Sequence, residues 1–252
     1  MPGGELTLTA WLWLALAGVL VGVAKTAVNG VGSIAIVIFA AVLPARESTG
    51  AILPLLLCGD VLAVAYYRRH ADWGTILRLL PGVLPGLVVG AWFLSVVDDV
   101  VMRRAIAVIL LVMCAAQLWQ LLHRAEPGAP GTPEPRHGPA TVATGVLAGF
   151  TTMTANAAGP VTTVYLIRAG LPMLRMIGTG AWFYLVVNLA KVPFSASLGL
   201  ITPASLLRDA LLVPALLVGA VLGILLVGRL RQRQFEVVAV LFSAAASVLL
   251  LA

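Results

Sequence analysis

Eight long apolar stretches divide this chain, and polar segments too short to fold by themselves separate them. They cover residues 10–43, 48–65, 79–97, 105–122, 140–167, 176–198, 210–228 and 237–252. A bilayer core of about 30 Å takes roughly 17–25 apolar residues per helical crossing, and six of the stretches have that ordinary length to within a residue. Composition agrees: 61% of the 252 residues are hydrophobic and 10% charged. A soluble fold of this size could not bury so much apolar surface, so the expected class is an all-α polytopic membrane protein. The apolar stretch from Ala10 has no basic residues before it and reads as a span rather than a cleaved signal.

The first and fifth stretches are different. Residues 10–43 would make about 51 Å of straight helix, too long for one simple crossing. Gly22, Lys25, Asn29, Gly30 and Gly32 interrupt them. Residues 140–167 carry a matching interruption, Thr154-Ala155-Asn156-Ala157-Ala158-Gly159-Pro160. Broken apolar segments at corresponding places in two halves mark a transporter binding site.

The halves are related in sequence. A shift of 127 lays Gly18-Val19-Leu20-Val21-Gly22 on Gly145-Val146-Leu147-Ala148-Gly149, Asn29 on Asn156 and Gly32 on Gly159. One further residue lays Gly50 on Gly178 and Asp60 on Asn188. The order of these matches predicts an internal duplication: a first repeat over 10–122, a proline-rich linker over 123–139 and a second repeat over 140–252.

Lys and Arg in the loops set orientation. If all eight stretches cross fully, the two sides carry six and eight, which is no preference. If the first and fifth return to the side they entered, the sides carry four and ten. That arrangement leaves three full crossings per repeat, and an odd number inverts the second repeat relative to the first. Two inverted repeats, each a broken first segment plus three spanning helices, are therefore the expected fold. Eight plain transmembrane helices, four plus four, are the alternative. The loop charges also account for the net charge of +6 as a preference for anionic headgroups of the lipid bilayer. No basic stripe interleaves with aromatics, which argues against nucleic acid.

Three charges remain inside the apolar runs: Lys25, Asp60 and Lys191. Such a charge costs roughly 2.5–3.5 kcal/mol on insertion scales, so these residues usually face a cavity. Lys25, Thr26, Asn29 and Gly30 surround one break, and an interrupted helix offers free N–H groups to an anion. Thr151, Thr152, Thr154 and Asn156 supply neutral donors at the other, and Lys191, beside Asn188, adds a second cation. Together they describe an anion cradle. Blander readings stand beside it. Either lysine could snorkel to an interface. Asp60 could neutralise a lysine or carry a proton, and the threonines could simply join helices. The spacings Gly86-x-x-x-Gly90 and Gly219-x-x-x-Gly223 read as helix-packing faces.

Blocks in order along the chain carry a family resemblance. They are Gly22-Val23-Ala24-Lys25-Thr26 with Gly30 and Gly32, then Asp60 and Tyr67-Arg68-Arg69-His70-Ala71-Asp72-Trp73. In the second half they are Thr151 through Pro160, Gly178-Thr179-Gly180-Ala181-Trp182-Phe183 and Asn188-Leu189-Ala190-Lys191-Val192-Pro193-Phe194. With these the chain resembles the sulfite exporter TauE/SafE family. The glycine-dense turn common in that family's first half is thinned here to Gly30-Val31-Gly32-Ser33. The resemblance implies a multi-pass inner-membrane permease for sulfite, another small sulfur oxyanion or an organosulfonate.

The resulting expectation is a secondary transporter, a sulfite exporter being the first candidate, that needs no cofactor. The substrate site would hold Lys25, Thr26, Asn29, Gly30, Thr152, Asn156 and Lys191. Asp60 and Asn188 would be coupling or structural residues, and protons a candidate coupling partner. An anion channel of the same fold is the alternative. An enzyme is not expected, because histidine is absent from the apolar stretches and Cys58 has no base beside it in sequence.

Overall fold

The computed structural model describes residues 6–26, 31–122, 138–227 and 232–251. Within them the chain is helical throughout. The first half holds α1 (Leu8–Thr26), α2 (Val31–Val42), α3 (Ala45–Ala51), α4 (Leu53–Tyr67), α5 (Trp73–Val96) and α6 (Asp99–Leu122). The second holds α7 (Pro139–Ala155), α8 (Gly159–Arg168), α9 (Met173–Ser197), α10 (Pro203–Val227) and α11 (Gln232–Leu251). Among the described residues, six stretches are long and apolar enough to cross a membrane: Leu8–Thr26, Ala45–His70, Trp73–Val96, Asp99–Leu122, Met173–Ser197 and Pro203–Leu225. The protein is a polytopic all-α membrane protein. The 123–139 linker lies, except for its last two residues, outside the described residues.

The second expected break is present, and the first falls at residues 27–30, outside the described residues. Helix α1 stops at Thr26 and α2 resumes at Val31. Helix α7 stops at Ala155, where Asn156 takes a left-handed conformation (φ 50°) that asparagine tolerates better than most residues. Helix α8 then restarts at Gly159, with a proline in its first turn. The return arms α2 and α8, at 12 and 10 residues, are only about 18 and 15 Å long and cannot cross alone.

Glycine contacts fix the directions of the helices. Gly18 lies against Leu212 and Ala215, and Gly22 against Gly219 and Ala220, so α1 and α10 run parallel. Gly82 lies against Gly145, Gly86 against Gly149 and Gly90 against Met153, so α5 and α7 also run parallel. By contrast α4 and α9 are antiparallel: Gly50 meets Leu200, Asp60 meets Asn188 and Gly178 meets His70. One end of the bundle gathers the starts of α3, α6 and α10, where the Arg46 N–H donates to Asp99 (2.9 Å) and Arg208 pairs with Glu47 (3.3 Å). The other end gathers the starts of α5 and α9, where the Asp72 N–H donates to Thr179 Oγ1 (2.9 Å). Each broken segment therefore returns the chain to the end from which it set out.

Bare glycines bring the paired helices close enough for backbone contact, the usual device where lipid gives no hydrophobic drive to association. A Cβ built on Gly86 would lie 2.9 Å from the Phe150 nitrogen and 3.0 Å from the Gly149 Cα, both backbone atoms of α7 that cannot swing aside. Gly86→Val should therefore cost about 1–3 kcal/mol of overpacking. The check is a lower thermal midpoint for the detergent-solubilised protein, with Leu84→Val, on the exposed side of α5, as the neutral control.

Parts of several polar stretches that hydropathy assigns to loops are helix. Asp98 caps α6 by accepting from the Val101 N–H (2.8 Å), so the helix starts at Asp99. The 196–209 stretch is the larger correction. Thr202 and Ser205 cap each other's N–H groups (2.9 and 3.1 Å) and start α10 at Pro203, seven residues before the apolar run. Arg208 and Asp209 consequently sit on a spanning helix, and Asp209 is buried. Lys25, Asp60 and Lys191 are thus not the only charges carried inside.

Candidate functional site

The two lysines and the acid of the apolar runs meet in one hydrogen-bonded chain at the centre of the bundle. Lys25 Nζ, at the end of α1, donates to Asp60 Oδ1 at 2.6 Å. Asp60, in the middle of α4 and wholly buried, accepts at its other oxygen from Asn188 Nδ2 of α9, also at 2.6 Å. Asn188 Oδ1 in turn faces Lys191 Nζ at 3.4 Å. Lys191, one turn further along α9 and 1% exposed, also donates to Asn156 Oδ1 at the second break. The Asn156 amide closes the far end on the Thr49 carbonyl of α3 (3.0 Å). Four parts of the chain remote in sequence are tied together here.

The local sequence explains the placement. Gly59 precedes Asp60 and leaves room for the Lys25 stem, whose Cγ would lie 2.8 Å from a Cβ at that position. Lys25 also lies over the Tyr184 ring at 5.1 Å, where the negative face of the ring helps hold a desolvated ammonium. Asn188 and Lys191, three apart on α9, share one face. Asn156 can aim its side chain at Lys191 because it stands at the left-handed end of α7 rather than within a turn of helix.

The charges do not balance locally. Lys25 has a carboxylate partner, whereas Lys191, among the described residues, meets only amide oxygens. An ammonium in a low-dielectric interior without an anion is expensive, and a bound anion relieves that cost. The arrangement can therefore attract a small anion without metal or cofactor ligands.

Other candidate residues fall differently. Thr26 is buried, but its hydroxyl faces the backbone carbonyls of Gly22 (2.9 Å) and Ala220 (3.1 Å), and its own carbonyl accepts from Tyr67 Oη (3.2 Å). Thr26 thus locks the end of α1 against α10 and α4. Thr151 and Thr154 donate to carbonyls of their own helix at 2.8 and 2.7 Å. Thr152 is buried in the last turn of α7, where its carbonyl accepts from the Asn156 N–H (3.0 Å). Asn29 and Gly30 lie outside the described residues. Sequence reading did not single out Tyr184, whose hydroxyl would lie 3.9 Å from a Cβ on Gly159 at the second break. Its place three residues after Ala181 on the Asn188–Lys191 helix was the available signal.

Comparison with known proteins rests on sequence. The family model described as "Sulfite exporter TauE/SafE" matches residues 14–250. Comparisons with curated proteins and with solved structures returned no match. The matched region takes in both breaks and all five members of the central chain. A model that runs over nearly the whole sequence, on a polytopic helical bundle, identifies the chain as a member of the sulfite exporter TauE/SafE family of membrane transporters.

Proposed function

We propose that this protein is a secondary transporter that exports sulfite, or a closely related sulfur oxyanion or organosulfonate, across the inner membrane. Membership of the family supports membrane transport of sulfur anions. The observation that carries the finer reading is Lys191: a buried ammonium met by two amide oxygens and linked through Asn188 to the Lys25–Asp60 pair. Two cations against one carboxylate leave the centre with an unmatched positive charge suited to a small anion.

We read the bundle as two inverted repeats that rock against each other around this centre. The antiparallel course of α4 and α9 supports this, as does the contact at their middle between Asp60 and Asn188, the two residues that the sequence shift pairs. With the arginine-rich loops cytoplasmic, the end that gathers α3, α6 and α10 faces outward. Asp60, held between Lys25 and Asn188, neutralises Lys25 and leaves Lys191 as the unmatched cation.

The test is counterflow in proteoliposomes. Vesicles preloaded with sulfite should transiently accumulate labelled sulfite above its equilibrium level. Sulfate, thiosulfate, sulfoacetate and taurine, offered in turn, rank the substrates. Lys25→Met should insert normally and lose this accumulation, and unchanged flux in that variant would sink the site. Flux without any overshoot would assign a channel instead.

A further inference from the structure

Asp209 is a buried acid that the central site does not use. It lies on α10 with 3% of its surface exposed, and among the described residues neither carboxyl oxygen has a hydrogen-bond partner. An ionised carboxylate without a donor, inside a helix that spans the membrane, has lost its hydration and gained nothing for it. Protonation removes that penalty.

Among the described residues no donor reaches its carboxyl oxygens, and Arg208 acts on it only at a distance. On α10 itself the adjacent Arg208 is committed through Nη2 to Glu47 of α3 (3.3 Å), and its Nη1 is buried without an acceptor. From α4 the titratable neighbour is the Cys58 thiol, close enough to feel the carboxyl. Arg46, also on α3, directs its backbone N–H to Asp99 and leaves its Nε buried without a partner. Helix α1 presents only apolar residues and glycine along this stretch, and its one charged residue, Lys25, is bound to Asp60 at the far end.

Position makes this acid more than a packing defect. Asp209 lies two turns inside α10, next to the partly buried ion pair Arg208–Glu47. Seven residues further, about 10 Å of helix, Leu216 fills the space between Gly22 and Gly59 beside the Lys25–Asp60 pair. The carboxyl thus stands between one face of the membrane and the central site, on the helix that packs along the whole of the broken arm α1.

We propose that Asp209 is a proton-binding site that couples proton movement to transport. It holds its proton while sealed, as here, and exchanges it with water when the movement of α10 against α3 and α4 opens the outward-facing end. This inference rests on the transport reading above. Asp60 is the poorer carrier, because Lys25 and Asn188 already occupy both of its carboxyl oxygens.

Two measurements on the full chain decide it. Infrared spectroscopy of the purified protein at neutral pH should show the carbonyl stretch of a protonated carboxylic acid, retained in Asp60→Asn and lost in Asp209→Asn. In proteoliposomes the acceleration of sulfite flux by a pH gradient should fall at least about tenfold in Asp209→Asn, within the range of ordinary coupling free energies. Sulfite–sulfite exchange should stay near wild type, and Asp209→Glu should restore the gradient response. The coupling role is overturned if gradient-driven flux survives in Asp209→Asn, if exchange is lost with it, or if the infrared band is absent. A wild-type protein that moves no sulfite at all sinks the transport reading instead, and the band then still decides whether Asp209 holds a proton.

Discussion

Lys191→Met is expected to raise the half-saturating sulfite concentration at least about 100-fold, or about 2.7 kcal/mol of lost binding, while the protein stays folded. The two halves of this expectation have one cause. Without substrate, the Lys191 ammonium is buried against Asn156 and Asn188, and among the described residues no carboxylate touches it. Methionine has a similar shape and no charge, so the empty protein loses a cost rather than a support. Thermal stability in detergent should match wild type or exceed it. The substrate, in contrast, loses the one cation that is not already neutralised. If Lys191→Met unfolds the protein, the lysine is a structural strut and the anion site lies elsewhere. Titration of sulfite-induced thermal stabilisation in both proteins checks binding without any transport assay.

Asp60→Asn should have the largest effect on stability, about 3–5 kcal/mol, because it breaks a buried ion pair and leaves Lys25 without a counter-charge. For a chain of this length that corresponds to a fall of roughly 10 °C in the thermal midpoint. The Asn188 amide would also lose its charged acceptor. Removing both charges, in Lys25→Met with Asp60→Asn, should recover most of the stability and none of the transport. Additive losses in the double variant would mean that the two residues do not act as a pair, whatever their 2.6 Å separation suggests.

The site was partly legible before any coordinates. Lys25, Asp60 and Lys191 stand out because a charge in an apolar run is costly, and that cost is a property of sequence. The neutral donors were less legible. Thr26, Thr151 and Thr154 look like ligands at a break, yet their hydroxyls face backbone carbonyls, and only the packed helices show which carbonyl is near. Asp209 was missed for another reason. Hydropathy windows report where the apolar residues begin, whereas the caps at Thr202 and Ser205 report where the helix begins. The two differ by seven residues, enough to move an acid from loop to interior.

Hydropathy thus determined by itself that this chain lives in a bilayer, and Asn156, Gly159 and Pro160 that its fifth apolar stretch is broken. These depend on residue type and near neighbours alone. Tertiary structure decided the partnerships: that Asp60 takes both Lys25 and Asn188, that Lys191 finds Asn156 across the bundle, and that Asp209 finds no donor. Such pairings depend on how helices far apart in sequence lie side by side. Backbone contacts at Gly22, Gly86 and Gly149 set that, and no single segment records it.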